Sequence, residues 1–200
     1  MKQSLRLWTV LVAAVITGCS TGPYLKPAAD AGSYSTVNPA CPGAQEVIEF
    51  SPEKQPWVLL RIYATTPKRW NSKGTELRVH FWFKYLKGES TSLFFLTDEQ
   101  RKLIKERSSK DYLVTASKPT VTVVLPNGSK QEIPIPIFEK PYDPKNNQIS
   151  WWANGVQVSP DSLDSFTAIF PDIYVNGEKI NVPPIHFQRD EDHYAPVLNC

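Results

Sequence analysis

Few residues in this chain belong to the types that announce chemistry. It has three cysteines, three histidines and one methionine, the initiator. No H-E-x-x-H, G-x-G-x-x-G or phosphate-binding P-loop pattern occurs, so no local motif asks for zinc, a dinucleotide or a nucleotide, and no cofactor or metal is expected. A dominant charge is missing too: 22 basic residues stand against 20 acidic ones. Long apolar runs are also absent. The longest low-polarity run, Leu7 to Ile16, has ten residues. As a helix it would rise about 15 Å, about half the hydrocarbon core of a bilayer, too short for a spanning segment.

What is present begins at the first residue. Met1 to Arg6 carries Lys2 and Arg6 and no acid, the apolar run follows, and Ile16-Thr17-Gly18-Cys19 comes next. A positive segment, a short apolar stretch and small residues form an export signal. With the cysteine they resemble the lipobox of bacterial lipoproteins. The resemblance covers about the first 20 residues. It implies cleavage after residue 18, a thioether-linked diacylglycerol (with N-acylation, palmitate in many bacteria) on Cys19, and a membrane partner reached through that lipid. Ser20, where enteric lipoproteins retained at the inner membrane carry Asp, implies the outer membrane. Two or three acyl chains hold a protein where one binds only reversibly.

Cleavage after residue 18 also removes Lys2 and Arg6, leaving a mature chain with 20 bases and 20 acids. No charge argument for nucleic acid survives, and none is expected as a partner. Cys41 and Cys200 are then an even pair in an oxidising compartment, expected to form a disulfide that closes residues 41–200 as one domain. A loop that long contributes roughly 5 kcal/mol in the chain-entropy account. The alternative, a free thiol nucleophile, has no local motif behind it. Ser20 to Ala40, rich in Ser, Ala, Pro and Gly, reads as a flexible tether, so that residues 19–40 form a lipidated leash.

From Glu46 onward the apolar period is two. Leu77, Val79, Phe81, Phe83 and Tyr85 alternate with Arg78, His80, Trp82 and Lys84, which predicts a strand over 76–86 with one face to the core and one to water. Trp57–Ala64 alternates likewise, with Val58, Leu60 and Ile62 inward. Thr91–Leu96 and Ile149–Ala153 are shorter strand candidates. Pro126-Asn127-Gly128-Ser129 predicts a hairpin joining 120–125 to 131–138, and Asn176-Gly177 one joining 166–175 to 179–187. Pro134 and Pro136 make 131–138 an edge strand, since proline cannot donate to a ladder. Thr97 with Gln100 resembles a capping box, so a short helix is expected near 98–108. These elements predict an all-β, antiparallel β-sandwich with one helix, immunoglobulin-like topology being one option and a small closed barrel the alternative.

Site candidates are sparse. Gly18-Cys19-Ser20-Thr21-Gly22 matches G-x-S-x-G but straddles the cleavage site, where no strand-to-helix elbow can form. Arg189-Asp190-Glu191-Asp192-His193 lacks the spacing and turn glycine of a calcium loop and reads as a solvated tail. The basic residues of the helix (Arg101, Lys102, Lys105, Arg107 and Lys110) are offset by Asp98, Glu99 and Glu106 and read as a solvent face. Aromatics say more. Trp151 and Trp152 are adjacent and must take opposite faces of a strand. Trp82 shares the polar side of its strand with Arg78 and His80. Arg78, His80, Trp82, Trp151 and Trp152 are therefore the candidate interaction surface, since aromatic and arginine side chains favour interfaces; the alternative is that the helix or a long loop covers the tryptophans.

The function expected is a non-enzymatic, lipid-anchored envelope protein that binds another envelope macromolecule, a protein or a glycan. Two alternatives stay open: an inhibitor or immunity lipoprotein directed at a toxin or lytic enzyme, and a periplasmic hydrolase whose site has no local motif.

Overall fold

The computed structural model describes residues 20–37, 45–67, 72–83, 97–99, 102, 106, 112–136, 150–152 and 155–194. The signal segment, Cys19, Cys41, Cys200 and the expected strand at 91–96 lie outside these residues. So does most of the expected helix, of which Asp98, Glu99, Lys102 and Glu106 are described and are helical.

The strands are β1 (Ser20–Ala28), β2 (Ser33–Val37), β3 (Gln45–Phe50), β4 (Val58–Thr65), β5 (Thr75–Phe83), β6 (Val114–Ala116), β7 (Thr120–Val124), β8 (Lys130–Pro134), β9 (Ser150–Trp152), β10 (Val156–Ser159), β11 (Ser165–Ile169), β12 (Ile173–Val175), β13 (Glu178–Ile180) and β14 (Ile185–Tyr194). The main sheet runs β10-β5-β4-β1-β14-β11-β7-β8. β3 shares one edge of β4 with β1, β2 lies outside β3, and β9 pairs with β5. β13-β12-β6 form a second, small sheet. Pairing is antiparallel throughout the described ladders.

The long sheet folds over on itself. Val58, Leu60, Ile62, Leu77, Val79 and Phe81 from one half meet Val121, Val123, Phe166, Ala168, Ile185 and Phe187 from the other in one core. This is an all-β sandwich, with the inward sets of β4 and β5 that the alternation predicts. Phe166 and Phe187 stack across β11 and β14, ring centroids 4.7 Å apart, an arrangement that adds about 0.5–1.5 kcal/mol beyond burial. The end strands β8 and β10 meet through a side chain: Gln131 Nε2 donates to Val158 O at 2.8 Å. A closed barrel would join its end strands by a backbone ladder, and among the described residues β8 pairs with β7 alone. Pro134 thus sits on an edge strand, as its missing N–H requires.

Three expectations are corrected. The stretch expected as a flexible tether contains β1 and β2: β1 pairs with β14 over its full length, from Ser20 opposite Tyr194 to Ala28 opposite His186. Its prolines conceal it. In a strand the N–H and C=O of one residue point to the same edge. Pro23 O accepts from Thr66 Oγ1, just past the end of β4, so the missing N–H of Pro23, and by period that of Pro27, faces β4. There β1 makes a single bridge, Leu25 to Ala64, and the β14 ladder is left whole. The same ladder corrects the second reading: Arg189 to His193 is strand, not tail.

Third, the 166–187 hairpin is divided. Pro171 and the Pro183-Pro184 pair interrupt the two expected strands. The Asn176-Gly177 turn, with positive φ at both residues (51° and 79°), therefore joins only β12 and β13 in the small sheet. That sheet caps the end of the sandwich where β4 begins. Gln55 Nε2 donates to Val175 O, and Lys54 N donates to Glu178 Oε1.

Candidate functional site

Antiparallel register decides which side chains share a face. On β3, β4 and β5 the core takes Ile48, Leu60, Ile62, Val79 and Phe81. The opposite face carries a grid. Glu49 is opposite Arg61, and Arg61 is opposite His80. One row on, Tyr63 is opposite Arg78, then Thr65 opposite Glu76; on the other side Leu59 is opposite Trp82. β9 extends the sheet, with Trp152 the register partner of His80 and Trp151 that of Phe81.

This second face is covered, which corrects the expectation that Arg78, His80 and Trp82 look into water. His80 is 1% exposed, Glu49, Arg61, Tyr63 and Thr65 are buried, and Arg78 and Trp82 are half-buried. A signal for this was present in β4. Leu59 and Tyr63 are large and apolar at the phase opposite to Leu60 and Ile62, the composition of a strand buried on both sides. Glu49, Arg61, Tyr63 and Glu76 are site residues the alternation alone did not single out.

Burying charges is costly unless they are paired. Arg61 Nε lies 2.8 Å from Glu49 Oε1, with side chains only 11% and 7% exposed. Ser35 Oγ on β2 donates to the same carboxylate at 2.7 Å and accepts from Arg61 Nη2 at 3.1 Å, closing a triangle over three strands. Arg61 also lies over the Trp82 ring, 5.1 Å from its centroid. Such a cation–π contact contributes up to about 2 kcal/mol when desolvated. Arg78 donates to Glu76 Oε2 at 2.9 Å. Gly155 packs on this pair: a Cβ there would come 2.2 Å from Glu76 Oε2 and 3.0 Å from Arg78 Nε. A side chain at 155 would push the Glu76 carboxylate aside.

The layer sets its own titration. Burial first, then the guanidinium charges of Arg61 and Arg78, hold the His80 imidazole down to about 3. Burial pushes the Tyr63 phenol up, against the pull of Arg78 and Arg61. The rings of Tyr63 and His80 meet edge to face, centroids 5.6 Å apart and nearly perpendicular. His80 is neutral near pH 7, too weak a base to take a proton there and too deprotonated to give one as an acid. Both arginines are engaged by carboxylates. The layer ties strands β2 to β5 together in register.

The other half of the sandwich is its opposite. Thr120, Thr122, Glu132, Thr167, His186 and Gln188 stand on the outer face of β8-β7-β11-β14, half-buried or exposed. Glu132 accepts from Thr120, Thr122 and Lys118, and these bonds hold its carboxyl down to about 2. Among the described residues no group of three His, Cys, Asp or Glu is placed to hold a metal ion.

The edges differ as well. β8 carries Lys130 and Pro134, with Pro136 just beyond, the devices that block strand addition. β2 carries none. Its sequence, Ser-Tyr-Ser-Thr-Val, has no charge and no proline, it pairs with β3 alone among the described strands, and Tyr34 is 48% exposed. No protein-family model matches this chain, and no curated protein or solved structure does.

Proposed function

We propose that the protein is a lipid-anchored component of the cell envelope, non-enzymatic, whose sandwich binds another envelope macromolecule. In this reading Cys19 carries the acyl chains at the outer membrane, and a Cys41–Cys200 disulfide closes the domain.

The observation that carries the binding reading is the edge of β2. A row of backbone donors and acceptors on an uncharged strand is a template for an added strand. The same molecule guards β8, so the lack of a guard on β2 is a local choice. Its occupant is an extended polypeptide segment of a partner protein, because only an extended backbone satisfies a strand edge.

The test places a photo-crosslinking amino acid at Ser33 in the acylated chain, in cells of its source. The expected result is one saturating cross-linked partner, lost when Tyr34→Lys puts a charge on the edge and kept when Ile169→Lys puts one on the opposite half. A cross-link indifferent to Tyr34→Lys, or none at all, overturns the reading. Retention on peptidoglycan resin instead would move the binding to a glycan.

A further inference from the structure

With β1 starting at Ser20, the proposed anchor has no leash. Cys19 is bonded to Ser20, so the acylated residue lies about 3.8 Å, Cα to Cα, from the first residue of a paired strand. A free segment of some 20 residues would have let the domain wander by roughly 25 Å. Instead, β1 is locked to β14 from Ser20 onward.

Register then says which end of the sandwich lies there. β14 finishes at Tyr194, opposite Ser20. β4 finishes beside β1, where Thr66 Oγ1 donates to Pro23 O. β10 ends where β5 begins, Ser159 opposite Thr75. β11 begins opposite Gln188, with Asp164 paired to Arg189 just before it. The β7–β8 turn stands well back from Ser20: Lys130 is opposite Val124, Val124 opposite Thr167, and Thr167 opposite His186, the partner of Ala28. At the far end lie β6, the β12–β13 turn and the 51–57 turn, tied together by Asn176, Leu113 and Gln55.

We propose that the sandwich stands with this β1-start pole directly against the lipid head groups, the β12–β13 cap pointing away. The inference rests on the lipoprotein reading of Cys19. The charge on the pole is mixed. Lys26 lies between Glu46 and Asp190 at 3.8 and 3.7 Å, Arg189 pairs with Asp164, and Lys73 and Glu191 are exposed. A tetherless anchor also fixes the β2 edge upright from the bilayer, at one height.

The test uses the full, acylated chain in vesicles of phosphatidylethanolamine and phosphatidylglycerol containing nitroxide-quencher lipid. A fluorescent amino acid is placed at Lys73, just before β5 at this pole, in one protein and at Leu113 in another. Quenching at Lys73 should exceed that at Leu113 several-fold. A fifteen-residue Gly-Ser insertion between Cys19 and Ser20 should bring the two close to equal. Equal quenching without the insertion, in protein that takes up labelled palmitate and floats with the vesicles, overturns the orientation alone. Failure to take up palmitate or to float overturns the lipoprotein reading and this inference with it.

Discussion

The two halves of the sandwich use the same kind of strand for different ends. On β3-β4-β5 both faces are buried, and the face away from the core holds two arginines, two carboxylates and a neutral histidine. On β7-β11-β14 one face is buried and the other meets water with threonines and exposed ion pairs. Arg61–Glu49 and Arg189–Asp164 are nearly the same distance, 2.8 and 3.0 Å, yet the second pair is 44% and 76% exposed. Distance alone therefore says little about what a pair is worth. The dielectric around it decides.

Arg61→Ala should show the largest effect. It leaves Glu49 buried without its counter-charge, and breaking a buried pair costs about 3–5 kcal/mol. Arg189→Ala, on the open half, should cost about 0–1 kcal/mol. Urea unfolding of both variants at pH 7 makes the comparison.

Acid should separate the halves next. The His80 imidazole is held at about 3 in the fold, against an unfolded value near 6.5. The unfolded chain therefore binds the extra proton between those values. The contribution of neutral His80 is complete above pH 6.5 and is lost as pH falls toward 3, by about 3 kcal/mol at pH 4. His80→Gln should remove that part of the acid slope in unfolding curves run from pH 7 to pH 4. An unchanged slope would place His80 in water.

Glycines give a smaller contrast. Gly155→Ala forces the Glu76 carboxylate off Arg78 and should cost about 1–3 kcal/mol. Gly128→Ala, with nothing within 4 Å of its Cβ but φ at +81°, should cost only the left-handed strain, about 1–2 kcal/mol. The smallest effect belongs to Glu132→Gln, whose partners all face solvent: the thermal midpoint at pH 7 should not move measurably. The wild-type carboxyl should stay ionised in an NMR titration down to about pH 3, consistent with its value near 2.

The same contrast marks what was legible in the sequence. Period-two alternation placed β4 and β5 and their inward residues. The Asn-Gly dipeptides placed both turns, and Pro134 marked an edge. Each of those signals is local. β1 was missed because its two large apolar residues, Tyr24 and Leu25, are adjacent and set no period of two. It exists because β14, more than 150 residues later, supplies a full ladder, while the missing proline N–H groups fall on the side where Thr66 Oγ1 donates to Pro23 O. The charged layer was half visible: Arg78, His80 and Trp82 were on the right face. Their burial depends on what covers that face, which alternation within one strand cannot report.

The most direct test of the contrast is a pair of double-mutant cycles at pH 7, Arg61→Met with Glu49→Leu and Arg189→Met with Asp164→Leu. A buried, mutually dependent pair should give a coupling of about 2–3 kcal/mol in the first cycle and less than about 1 kcal/mol in the second. Equal, small couplings in both would mean that the outer face of β3-β4-β5 is open to water, and would contradict the account.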